Sequence, residues 1–293
     1  MQKSKDVYED ITQKIISQLE QGVLPWWQPW NSADAAPGLP LRWNDEPYSG
    51  INIITLWSEA ADKNYVSRYW MTFKQATGMK ASVRKGEKAM YVVYTGKKDV
   101  VVEKEDETQT KQVSFLKSYP VFNACQIEGL PPAYYAVKEK IGNDNQRIAE
   151  IEAFFAATKA DIRTGTKACY KSASDHIEMP PLESFIDTPV YYSILAHELT
   201  HWTKHPSRLN RDFGKTKWGN EAYAKEELVA EIGSCFLAAD LGLEPETRNE
   251  HAAYISSWLE VLKNDKRFIV MAASHAQKAV DYIHSLQVVP SPA

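Results

Sequence analysis

Three of the seven histidines in this 293-residue chain fall within nine positions, in the stretch YYSILAHELTHWTKHPSRL (191–209). On a helix, residues four apart sit one turn above another, so His197 and His201 can turn their rings toward one metal ion. Glu198 lies beside that face, where its carboxylate takes a proton from the attacking water rather than binding the ion. Zinc held this way lowers the pKa of a coordinated water to roughly 7, so the spacing His-Glu-x-x-His points to metal-assisted hydrolysis. The bland alternative is a buried helix whose two histidines are satisfied by hydrogen bonds.

A hydrolytic zinc site needs a third protein ligand. A zincin of the H-x-x-G-x-x-H kind is excluded, because Lys204 and Ser207 stand where the glycine and the histidine are required. The other source is a carboxylate on a following helix, and AKEELVAE supplies Glu226, Glu227 and Glu231. Glu227 and Glu231 are four apart and share a face, so one can ligate while the other orients a histidine. This E-x-x-x-E spacing resembles the E-x-x-x-D of glutamate zincins, in which the first carboxylate is the ligand. It implies Glu227 as ligand and Glu231 behind a histidine, with the reverse left open. Glu226 is expected on a solvated face. His205 is expected at the surface or beside the ligands. Tyr223, one turn before Glu227, can stabilise an oxyanion or simply pack. The strand around Asp175-His176-Ile177 is a candidate edge for an extended peptide.

The elements that must carry these groups are legible from periodicity. Asp187, Thr188 and Pro189 signal a helix start with Thr188 as cap, and Pro206 requires the helix to end by His205. NEAYAKEELVAEIGSCFLAADLG reads as a second long helix closed by Gly242, preceded by a helix over RIAEIEAFFAATK and followed by two more. ACYKSASDHIEMP reads as a strand with one face exposed. In the first half, DVYEDITQKIISQLEQ (6–21) and GINIITLWSEAADKN read as helices, and a short helix begins near Thr72. From residue 89 the period becomes two: AMYVVYTG, DVVVEKE and QVSFLKSYPVFNACQI read as strands, with KEDETQTK as a hairpin tip. The expected fold is α+β, with domains at 1–128 and 147–293 and a linker at 129–146 around Pro131-Pro132.

The hydrophobic fraction of 44% is that of an ordinary soluble protein, and no apolar run approaches membrane-spanning length. Three widely spaced cysteines and the absence of a signal peptide fit a cytoplasmic protein without a disulfide framework. The net charge of -4 conceals a basic segment. Residues 63–98 carry nine Lys and Arg against one acidic residue, Glu87, including Arg68, Lys74, Arg84, Lys85 and Lys88. Six of the nine tryptophans lie in the first 70 residues, among them Trp26, Trp27, Trp30, Trp43 and Trp70. Rings that accept bases beside cations that track phosphates are what sequence-tolerant binding of single-stranded DNA requires. The competing reading is that most of these rings are core, which the helical spacing around Trp57 supports for that residue.

DITQKIISQLEQGVLPWWQPW, PYSGINIITLW and RYWMTFKQATGMKASVRKGEKAMYVVY together resemble the N-terminal domain of ArdC-type antirestriction proteins. That domain is also similar to part of the TraC-type plasmid primases. YYSILAHELTHWTKHPSRLNRDFG and YAKEELVAEIGSCFLAADLGL resemble the zincin-like metallopeptidase domain that follows it in ArdC. The resemblance implies a mobile-element protein that binds single-stranded DNA, protects incoming DNA from host restriction, and carries a metallopeptidase-like site. Zinc is the expected metal, with another divalent ion as alternative, and a host protein is a possible substrate. A DNA mimic would be strongly acidic, and -4 over 293 residues is too little. Protection is therefore expected through covering DNA, through acting on a host protein, or through both.

Overall fold

The computed structural model describes residues 7–27, 38–104, 107–135, 145–214, 220–243 and 251–287. α1 (Val7–Glu20) buries Ile15, Ile16 and Leu19, one face of its 3.6-residue period. β1 (Leu41–Arg42) precedes α2 (Ile51–Lys63), which ends on Asn64 in the left-handed conformation. β2 (Tyr69–Met71) leads into α3 (Phe73–Gly78), where Thr72 and Gln75 form a reciprocal capping box. β3 (Ser82–Val83), β4 (Met90–Lys104), β5 (Glu107–Asn123) and β6 (Ile127–Glu128) complete this half. The four-stranded sheet runs β1-β2-β5-β4, with β1 and β2 parallel and the other pairs antiparallel. The expected strands over AMYVVYTG and DVVVEKE join into the single strand Met90–Lys104, because Gly96 is paired with Phe115 and the ladder continues through it.

In the second half, α4 (Asn145–Ala157) precedes a three-stranded sheet of order β7-β9-β8. Its strands are β7 (Ile162–Thr164), β8 (Cys169–Lys171) and β9 (His176–Met179). The expected single strand over ACYKSASDHIEMP is thus a hairpin, turned at Asp175 with φ 50. Its second arm is the centre of the sheet, so the edge expected at Asp175–Ile177 is already paired on both sides. The helices α5 (Thr188–Trp202), α6 (Glu221–Leu241), α7 (His251–Asn264) and α8 (Phe268–Ser285) follow. Asp187, not Thr188, caps α5: its Oδ1 accepts from the Val190 N–H at 3.0 Å, and Thr188 is the first helical residue. α5 stops at Trp202, three residues before the expected limit at His205.

α5 and α6 are the central pair. Almost every residue of α5 from Tyr192 to Trp202, and of α6 from Glu226 to Ala239, is buried. Helices buried on all sides lose the amphipathic stripe, and charged groups inside them must be paired. Gly233 of α6 brings the two backbones close, facing Thr200 of α5.

The two halves share one apolar core. α1 packs on α7 and α2 on α8. Trp26, fully buried in the loop after α1, meets Trp258 edge-on at 5.5 Å, and Trp57 meets Phe236 of α6 at 5.9 Å. A satellite core of Met71, Ala76, Ala81, Ala124, Ile127 and Leu130 supports the basic segment. Within the expected linker, Leu130 is buried and Tyr135 Oη donates to the Ile127 carbonyl at 2.7 Å. Residues 136–144 of that linker lie outside the described residues. Among the described residues no helix is long and apolar enough to cross a membrane.

Candidate metal centre

One turn of α5 and one turn of α6 face each other across the core and bring together His197, His201 and Glu227. A ligand atom from each lies within 4.8 Å of the others, and all three residues are buried. The two Nε2 atoms are 3.1 Å apart, and Glu227 oxygens lie 3.5 Å from His197 Nε2 and 3.4 Å from His201 Nε2. Ligands at about 2.05 Å around a tetrahedral ion stand about 3.3–3.4 Å from each other, so this donor set fits one divalent cation.

The surroundings orient the ligands. His201 Nδ1 lies 3.0 Å from Glu226 Oε1. Arg211, itself buried, grips both oxygens of Glu226 at 2.9 and 2.8 Å and donates to the Thr200 carbonyl and to Thr203 Oγ1. Glu226 is therefore not the solvated residue that its charge suggests; at 3% exposure it is the carboxylate behind His201. Neither Glu226 nor Arg211 was assigned to the site by spacing. The available signal was a second carboxylate next to a ligand, which helical geometry sends off the ligand face. Glu231 Oε2 stands 3.7 Å from His197 Nδ1, one turn below Glu227.

Electrostatics follow from this burial. Burial favours a neutral His201, but Glu227 and Glu226 overcome it and raise its pKa to about 9 in the metal-free protein. Burial opposes ionisation of Glu226, yet Arg211 and His201 hold its pKa down to about 2. Glu227 is likewise driven well below the ordinary carboxylate range, burial being outweighed by His201 and His197.

Glu198 is 6% exposed, and its Oε2 accepts from the Tyr170 N–H of β8 at 2.8 Å. Tyr170 is anchored in turn, its hydroxyl donating to Asp175 at 2.8 Å, with Asp175 paired to Arg208. The Arg208 guanidinium lies 3.9 Å over the Trp202 ring, which ties β8 to the end of α5. Tyr223 Oη is 3.0 Å from Tyr254 Oη. Burial first, then Tyr254 and Glu227, push the Tyr223 phenol well above its ordinary pKa and keep it a neutral donor. His205 is directed away, with Nδ1 2.8 Å from Ser207 Oγ.

The residues expected to touch DNA divide by burial. Trp26 is 0% and Trp70 1% exposed, so neither ring offers a face to a base, and both belong to the core. Trp43 is 42% exposed, and Lys74, Arg84, Lys85 and Lys88 are all exposed. Arg84 also holds Glu87 at 2.6 Å. Trp27 and Arg68 are half-buried, Arg68 covering the backbone of Gly38. Trp30 lies outside the described residues. Exposed rings that composition did not single out are Phe73, Tyr91, Tyr94 and Tyr119.

The family described as the N-terminal domain of anti-restriction factor ArdC matches residues 5–122, and the family described as zincin-like metallopeptidase matches residues 149–275. A protein of Sinorhizobium fredii, y4eC, is 36% identical over 98% of this chain and 94% of its own length. The Escherichia coli DNA primase TraC is 35% identical over 95% of this chain, which spans 27% of the primase. The metal-free crystal structure of the antirestriction protein ArdC from plasmid R388 superposes with a TM-score of 0.82 at 46% identity, covering 96% of this chain and 97% of that one. Its Mn(II)-bound structure gives 0.78 at 44% identity, covering 96% and 98%. A two-domain α+β chain with these relatives over nearly its full length belongs to the ArdC family of antirestriction proteins, with an ArdC-type N-terminal domain followed by a zincin-like metallopeptidase domain.

Proposed function

We propose that this protein binds single-stranded DNA through its N-terminal half, holds a divalent metal ion, zinc first, in a peptidase site of its second half, and so protects incoming DNA from restriction. The observation that carries the enzymatic part is the convergence of His197, His201 and Glu227 within 4.8 Å, with Glu198 buried alongside. A divalent ion held by these three side chains supplies Lewis acidity toward a peptide carbonyl and the attacking water. Glu198 takes the proton of that water and returns it to the leaving amine, held in place by the Tyr170 N–H. Tyr223, kept neutral, donates a hydrogen bond to the oxygen on which charge develops. Glu226 stands behind His201 as the proton acceptor for its Nδ1, and Glu231 sets a carboxylate 3.7 Å from His197 Nδ1. The substrate class is a polypeptide, with a host protein of the restriction pathway as the natural candidate.

The DNA part rests on exposed Trp43 together with Lys74, Arg84, Lys85 and Lys88 on the satellite core. Glu198→Gln tests the enzyme. Cleavage of unfolded casein should vanish, while metal content and affinity for a labelled oligothymidylate stay as in the wild type. Full proteolysis by this variant would overturn the mechanism. Protection of DNA that survives the substitution would show that protection needs no hydrolysis at this site.

A further inference from the structure

Away from the metal centre, the seam between the two halves opens into a cavity of about 400 Å³. One wall is the start of α2 with β4, and the other is α8. The seam is bonded across its floor, where the Gly50 N–H donates to Gln277 Oε1 at 3.0 Å. The Asn52 side-chain amide pairs with both backbone groups of Val93, at 2.8 Å each, and covers the outer edge of β4. These bonds hold α2, β4 and α8 in one relation, so the opening has fixed walls. Its volume falls within the roughly 300–1,000 Å³ of small-ligand sites.

The groups that face this space have a common chemistry. Arg42 enters from the N-terminal half and Lys278 from α8, giving two cations from different halves. Arg42 pairs with Glu46 at 3.2 Å, but both side chains are about half exposed. Such a pair contributes little and gives way to a phosphate, which a guanidinium binds through two hydrogen bonds. Ser49 and Ser274 add hydroxyls, and Tyr94 presents a ring that is 56% exposed. Among the lining residues the single carboxylate, Asp281, already accepts from Gln277 Nε2 at 2.9 Å. An aromatic ring and two cations lining one cavity suit a ligand that is aromatic and anionic at once. Duplex DNA keeps its base faces stacked inside, so only a single strand can lay a base on Tyr94.

We propose that this seam takes one nucleotide unit of a DNA single strand, its base against Tyr94 and its flanking phosphates on Arg42 and Lys278. The inference rests on the single-strand reading above and extends it, because Lys278 belongs to α8 in the second half of the chain. The bound strand then spans both halves and rests on α8, which packs directly against the glutamate-bearing α6.

Anisotropy of a labelled oligothymidylate, titrated at several salt concentrations, tests this with the full-length protein. Lys278→Glu should weaken binding about tenfold and reduce the salt slope by about 0.7 for the lost cation. Tyr94→Ala should weaken binding roughly tenfold with the slope unchanged. Lys263→Glu, the same charge change on α7 outside the cavity, should stay within about twofold of the wild type. Wild-type binding that neither Lys278→Glu nor Tyr94→Ala alters overturns the seam and leaves the single-strand reading standing. A wild type without affinity for the strand overturns both. Equal losses from Lys263→Glu and Lys278→Glu would mean a diffuse field and also overturn the seam. Photocrosslinking of wild-type protein to a 5-iododeoxyuridine strand is independent of variant folding. Recovery of the peptide bearing Tyr94 is expected, and crosslinks confined to other peptides would refute the assignment.

Discussion

Gly233 of α6 lies against Thr200 of α5 so closely that a Cβ at position 233 would stand 2.7 Å from Thr200 Cγ2. Thr200 sits immediately before His201, and Gly233 is on the helix that presents Glu227, so this contact sets the spacing of the metal site. Thr200 cannot swing away freely, because its Oγ1 donates to the Ala196 carbonyl at 2.8 Å. Gly233→Ala should destabilise the protein by about 1–3 kcal/mol through overpacking. It should also lower metal affinity, since the histidines and Glu227 move apart. Thermal unfolding with and without metal measures both, and Gly233→Ala combined with Thr200→Ser should recover part of each.

Glu226 and Arg211 form a buried pair whose members depend on each other. Removing one leaves the other charged and unpaired, so Arg211→Met should cost about 3–5 kcal/mol. The double variant Arg211→Met with Glu226→Gln should be less damaged than that single variant. Glu226→Gln alone should weaken metal binding about 10–100-fold, because His201 loses the carboxylate behind its second ring nitrogen. Metal-competition titrations and denaturant melts distinguish the two effects.

Protonation and metal binding compete at His201. Its pKa is raised from 6.5 to about 9 in the metal-free protein, so near neutral pH the imidazole is charged and the ion must displace a proton. Calorimetry in buffers of different ionisation enthalpy should show about one proton released at pH 7. The apparent metal affinity should rise about tenfold per pH unit and level off near pH 9. For the metal-free fold the sign is the reverse. A raised pKa stabilises fully below pH 6.5, and that contribution is lost as pH rises through about 9.

The tryptophans should separate into two functional groups. Trp26→Ala removes a fully buried ring packed on Trp258 and should cost about 3–5 kcal/mol of stability. Trp43→Ala leaves the fold intact and should weaken single-strand binding by about 1–3 kcal/mol. Melting curves and anisotropy titrations on both variants measure the difference. A Trp43 variant with wild-type affinity would remove that ring from the DNA surface.

What the sequence determined by itself is what local periodicity encodes. His197, Glu198 and His201 needed only the 3.6-residue turn of a helix; spacing alone left Glu227 and Glu231 as equal candidates for the third position, and only the likeness to glutamate zincins favoured Glu227. The helix stop at Gly242 and the cap at Thr72 were equally local. The tertiary structure decided everything that depends on what lies opposite. Charge alone puts Glu226 in water, and only the packing of α6 on α5, with Arg211 arriving from the loop between them, buries it behind His201. Composition cannot separate Trp26 from Trp43, since both lie in proline-bearing loops of one aromatic segment. Their difference arises because Trp258 of α7 closes over the first, whereas the second stays 42% exposed. The seam between Arg42 and Lys278 joins residues 236 positions apart. Distance along the chain carries no information about such a pair, because their proximity comes from the shared core that seats α2 on α8.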